Sequence, residues 1–101
     1  MTSYSKGANF ERRLIKYLRA EGHRAHRTAG SHTPIDVMAG IDGHCYGFQC
    51  QIDKYFPPVK VEALVDEARQ YGAIPMLVWR TEKNSIHFEE LEVKQWKLKL
   101  Q

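Results

Sequence analysis

Apolar residues at Phe10, Leu14, Tyr17 and Leu18 fall on one face of a 3.6-residue repeat, which predicts an amphipathic helix from Lys6 to Glu21 stopped by Gly22. The opposite face of that helix is arginine and lysine. The pattern then shortens: Arg24 to Arg27 reads as a short strand, and Ile35 to Ala39 as a strand of β-compatible apolar residues. Gly40 to Gly43 is a turn signal leading into a strand from Cys45 to Ile52, so these two strands form an antiparallel hairpin. After Pro57-Pro58 the helical period returns in Val61, Leu64, Val65, Ala68 and Tyr71, up to Gly72. Ile74 to Trp79 is a continuous apolar run, a buried strand, and Ser85 to Phe88 can pair with it across a turn at Glu82 to Asn84. Residues 89–101 carry one large anchor, Trp96, and no clear period.

With 101 residues, this order predicts a single α/β domain over residues 1–101 with one core and no internal repeat. No run approaches a membrane span and the first residues are unlike a signal peptide, so the expected location is the cytoplasm, with no membrane partner. Cys45 and Cys50 would point to opposite faces of a regular strand, which argues against a mutual disulfide or a joint metal site.

Charge alters the picture more than composition does. The net charge is only +3, yet residues 1–27 hold Lys6, Arg12, Arg13, Lys16, Arg19, Arg24 and Arg27 against Glu11 and Glu21. The remainder is slightly acidic. Concentrated cations on one helix and the loop beyond it suit phosphate contacts, because each neutralised phosphate releases counterions. The plainer alternative is a solvated helix face.

Candidate chemistry lies in the loop and hairpin. The Gly/Ser/Pro-bearing stretch Arg27 to Pro34 delivers Asp36 to a strand start, and strand alternation puts Gln49 and Gln51 on one face with Gly47, opposite Phe48, Cys50 and Ile52. An acid followed by two polar residues spaced by one on the next strand is the layout of a group of metal-dependent nucleases. Those enzymes carry Glu-x-Lys where this chain carries Gln49-x-Gln51. Taken singly, Glu11 reads as a salt-bridging or capping residue near a helix start, and Asp36 as a turn acid.

In order, Lys6-Gly-Ala-Asn-Phe-Glu11-Arg12, Arg27-x-Ala-Gly-Ser31, Asp36-Val37 and Tyr71-Gly-Ala-Ile-Pro75 resemble the archaeal and phage Holliday junction resolvases, within the restriction-endonuclease-like nuclease superfamily. The resemblance runs from about Lys6 to Trp79. It implies a restriction-endonuclease-like α/β fold, a central mixed β-sheet flanked by helices. It also implies a homodimer that binds four-way DNA junctions and cuts them with Mg²⁺, or Mn²⁺ in its place; a phage-encoded member would act in the host cytoplasm. Glu11 matches the family's helix-borne acid and Asp36 its metal-binding aspartate. With Gln49 and the Cys50 carbonyl they would hold the ion, whose hard character calls for oxygen ligands. Lys6, Arg12, Arg13, Arg27 and Ser31 would contact DNA, Arg12 and Arg27 through guanidinium forks suited to phosphate oxygens.

Gln49 stands at the second metal carboxylate, where an amide oxygen still ligates but carries no charge. Gln51 stands at the catalytic lysine; it donates a hydrogen bond without supplying a cation. Losing one such electrostatic group costs roughly 100- to 1000-fold in rate. Lys54, three residues on, offers a cation of opposite strand parity. Two functions therefore stand open: a junction-resolving endonuclease using Glu11, Asp36, Gln49 and Gln51, or a junction-binding protein on the same scaffold with little or no cleavage. An unrelated protein-binding module fits the N-terminal arginines less well. His32 in the loop reads more readily as solvated than as functional, and Tyr71 as core.

Overall fold

The computed structural model describes residues 3–28, 33–52, 56–80 and 85–91, with side chains in the first segment described from Gly7 onward. In chain order the elements are α1 (Ser3–Ala20), β1 (Arg24–Arg27), β2 (Val37–Ile41), β3 (His44–Gln51), α2 (Pro58–Gln70), β4 (Ile74–Arg80) and β5 (Ile86–Glu90). The sheet order is β1-β2-β3-β4-β5; β3 and β4 are parallel and every other neighbouring pair is antiparallel. A parallel pair needs a crossover, and α2 supplies it.

The helices cover opposite faces of this mixed sheet. Phe10, Leu14, Ile15 and Leu18 of α1 pack on Ala25, Val37, Ala39, Phe48 and Val78, while Leu64 and Ala68 of α2 pack with Ile35 and Ala73, flanked by Met38 and Cys45. Strand alternation explains the division: Val37 and Ala39 face one way and Met38 the other. Leu14, Val37, Phe48, Leu64 and Val78 are almost wholly buried. Burial of each such side chain contributes about 1.5–3 kcal/mol, so both helices are held by the sheet rather than by helix propensity.

Local chemistry sets the connections. Asp42 and Gly43 both have positive φ (53° and 82°), and Ile41 pairs with His44 across them, a two-residue turn whose twist matches a right-twisted hairpin. The turn is tighter than the Gly40 to Gly43 span expected, and β2 starts at Val37 rather than Ile35. Pro57 caps α2 with extended backbone and Pro58 takes the first helical position, where a missing N–H costs nothing. Gly47 matters for its lack of a side chain: a Cβ there would lie 2.9 Å from Ile35 Cδ1. Ile35 thus lies directly on β3, beside Asp36.

Three side-chain placements differ from the sequence-based reading. Tyr71, expected in the core, instead takes the C-cap position after α2 and is 63% exposed. Tyr17 is likewise half exposed, at the rim of an open groove with Tyr46 and Phe88. Arg19 is not a free surface cation: its Nε and Nη2 donate to the Ala25 carbonyl, tying α1 to β1. The two cysteines lie on opposite faces as expected and are unbridged. The pairing of Ser85 to Phe88 with β4 is realised as β5, displaced slightly toward the C-terminus.

Candidate nuclease site

Asp36 is held at the end of the sheet by backbone bonds on both sides. Its N–H donates to the Phe48 carbonyl at 2.8 Å, and its carbonyl accepts from the Thr28 N–H at 3.1 Å. Two hydroxyls, Thr28 Oγ1 at 2.6 Å and Thr33 Oγ1 at 2.8 Å, donate to the neighbouring Ile35 carbonyl, so the loop is fixed immediately before the acid. The side chain then crosses to β3, where Oδ2 accepts the Cys50 N–H at 2.9 Å. Its other oxygen, Oδ1, accepts no hydrogen bond among the described residues.

Burial pushes the Asp36 carboxyl up from 3.8 to about 6. The Cys50 N–H opposes that rise, the Glu11 carboxylate adds to it, and Arg27 opposes it. A half-buried carboxyl destabilised by desolvation and by a second carboxylate is the electrostatic environment that a divalent cation relieves. The same charges act on the Cys50 thiol, which burial first, then Asp36 and Glu11, push well above its ordinary value. Cys50 is therefore a neutral thiol facing α1, and only its main chain is placed to serve the site.

Glu11 reaches the site from the first half of α1. Its Oε1 accepts from Arg27 Nε at 2.9 Å, joining helix to β1 across sixteen residues of sequence. Two of the residues singled out from the sequence, Glu11 and Arg27, are thereby brought together, Arg27 as the partner of the acid. Gln49 lies next to Asp36, and both line a cleft of about 360 Å³ with Thr33, Pro34, Phe56, Lys60 and Ala63. Gln49 Nε2 is 3.5 Å from the Cys50 carbonyl oxygen. Turning the amide by 180° would set Oε1 beside that carbonyl, so that both oxygens face one cation.

The described residues hold no group of three or more His, Cys, Asp or Glu able to bind a metal ion. Among the described residues, Glu11 and Asp36 are the acids whose charges act on one another here. Their oxygens, the Gln49 amide and the Cys50 carbonyl nonetheless suit Mg²⁺, a hard ion that keeps several waters and binds few protein ligands. Gln51 shares the Gln49 face of β3 but does not line the cleft.

Arg12 is exposed and donates from Nη1 to Asn9 Oδ1 at 3.0 Å; Arg13 is half-buried on the same helix. The side chain of Lys6, and Ser31, His32, Lys54 and Trp96 altogether, lie outside the described residues. Sequence reading missed Thr28, Thr33 and Lys60. The hydroxyls had no signal beyond their place in a loop, and Lys60 had none at all, because α2 carried no motif.

Fold and site together define a class: an α/β nuclease fold with a desolvated carboxylate at the end of a mixed sheet. A family model described as archaeal Holliday junction resolvase (Hjc) matches residues 2–98, and the chain belongs to that family. A Methanocaldococcus jannaschii protein named crossover junction endodeoxyribonuclease Hjc is 33% identical over 78 residues, which make up 73% of this chain and 58% of that protein. The chain thus spans less than two thirds of that relative's length. The structure of Hjc from Archaeoglobus fulgidus, a Holliday junction resolvase of an archaeal hyperthermophile, matches with a TM-score of 0.73 at 28% identity, covering 83% of this chain and 75% of that one.

Proposed function

We propose that this chain is a structure-specific endodeoxyribonuclease that binds four-way DNA junctions and hydrolyses them with Mg²⁺ or Mn²⁺. The observation that carries this reading is the desolvated Asp36 carboxyl, fixed by Cys50 and raised further by the Glu11 charge, in a member of the resolvase family. Glu11, Asp36, the Gln49 amide and the Cys50 carbonyl would hold the ion, which lowers the pKa of bound water and offsets charge on the phosphate. Asp36 also acts structurally, since its bond to the Cys50 N–H keeps the entry of β2 in register with the end of β3. Arg27 orients Glu11 through their ion pair and, being 41% exposed, keeps part of its guanidinium open to a phosphate. Arg12 and Arg13, with Lys6 and Ser31, are assigned to DNA contact.

Incubating the protein with a labelled synthetic four-way junction and either metal is the direct test. Metal-dependent nicking on opposing strands is expected; intact DNA under conditions of full binding would leave a second reading, a junction binder without cleavage. The described residues favour that alternative in one respect, the absence of a third carboxylate.

Two further outcomes are expected. In competition gel shifts a four-way junction binds more tightly than a duplex of matched length, and affinity falls steeply with salt because phosphate contacts release counterions. Equal affinity for both DNAs, or a flat salt dependence, would refute the binding mode. The protein is also expected to be a symmetric homodimer acting in the cytoplasm, since two cuts across a two-fold junction call for two related sites. Light scattering at micromolar concentration, with and without junction DNA, checks this; a monomer in both conditions would count against it.

A further inference from the structure

The cleft beside Asp36 contains a positive charge that no part of the sequence motif accounts for. Of the described residues lining it, Lys60 is the one cation, facing the same space as Asp36 and Gln49. It occupies the first turn of α2, fixed there by its N–H donating to the Pro57 carbonyl at 2.9 Å, and Ala63, one turn on, lines the cleft with it. The side chain is exposed and makes no ion pair among the described residues. Its flexible four-carbon stem carries a compact ammonium that reaches toward whatever the cleft admits. Gln51, at the motif's lysine position, is uncharged and does not line the cleft.

We propose that Lys60 is the catalytic cation of this site, placing its ammonium against the scissile phosphate from α2 while Gln51 on β3 contributes none. The inference rests on the cleaving function proposed above. In the step it serves, a water oxygen forms a bond to phosphorus as the bond to the leaving sugar oxygen breaks. The water's proton passes to solvent and the leaving oxygen takes one up. Lys60 exchanges no proton in this step and offsets the charge that grows on the non-bridging oxygens, an electrostatic role. The sheet makes the substitution possible: α2 is the crossover between β3 and β4, so its first turn necessarily lies near the end of β3, where Gln49 and Gln51 sit.

The test is single-turnover cleavage of a labelled four-way junction by the full chain at saturating protein with Mn²⁺, together with junction affinity. Lys60→Ala and Lys60→Gln are each expected to slow cleavage roughly 100- to 1000-fold, with affinity nearly unchanged, and Lys60→Arg to retain part of the rate. Adding Gln51→Lys to Lys60→Ala moves a cation back to β3 without changing the total charge and is expected to restore cleavage. A purely structural role for Lys60 would not give that rescue. If the parent cleaves and both neutral variants match it while folded, the inference is overturned and the nuclease reading stands. A parent that binds junctions yet stays inert with both metals overturns both.

Discussion

Gln49→Glu and Gln51→Lys made together are expected to raise the single-turnover rate of junction cleavage by roughly 100- to 1000-fold, far more than either change alone. The first returns a charged oxygen ligand beside Asp36, in the cleft the two residues share. The second adds a cation on the same face of β3. Both act on one transition state and therefore couple. Gln51→Lys alone is expected to slow the reaction. With Lys60 already in the cleft and Arg27 already paired to Glu11, another cation repels the metal until the missing carboxylate is back. Rates for the parent, both single variants and the double, each over a series of metal concentrations, separate the two effects. A folded, junction-bound double variant that stays at the parent's rate would mean the site drawn around Glu11, Asp36, Gln49 and Gln51 is misplaced.

Asp36→Asn is expected to abolish cleavage and yet to stabilise the fold. In the folded chain the carboxyl titrates at about 6 rather than 3.8, chiefly because burial penalises its charge. Below about pH 4 it is neutral in both folded and unfolded chains and no penalty arises. Between about pH 4 and 6 the unfolded chain ionises first, so the parent loses stability as pH rises; above about 6 the full cost is present. Asparagine does not titrate, and its side-chain oxygen can still accept the Cys50 N–H. Its advantage should therefore open between pH 4 and 6 and level off at about 2 kcal/mol, a gain of roughly 10 °C in Tm for a domain of this size. Thermal melts of parent and variant in chelator, at pH 4 and pH 8, measure it. An equal difference at the two pH values would show that the buried charge is not its source. In excess Mg²⁺ the order should narrow or reverse, because the ion binds and stabilises only the parent.

That conflict between stability and chemistry is legible only in part from the chain. Phe10, Leu14 and Leu18 announced α1 and its buried face, and the turn residues Asp42 and Gly43 announced the hairpin. Strand alternation placed Gln49 and Gln51 together and separated Cys45 from Cys50, since a period of two leaves no choice once a strand is recognised. The order of the motifs along the chain pointed to the family, and with it to Glu11 and Asp36.

Local periodicity and runs of neighbouring residues were thus enough to specify the elements, the hairpin and the mixed α/β class, while Glu11 and Asp36 were singled out by the order of the motifs. Where distant groups meet was set instead by the packing of the elements. Arg27 became the partner of Glu11, Arg19 a brace for the Ala25 carbonyl, Tyr71 an exposed cap and Lys60 a neighbour of Asp36. The reason is physical. A side chain's direction follows from its own element, but its partners and its desolvation depend on which faces the β3-α2-β4 crossover and the two packed helices bring to one end of the sheet.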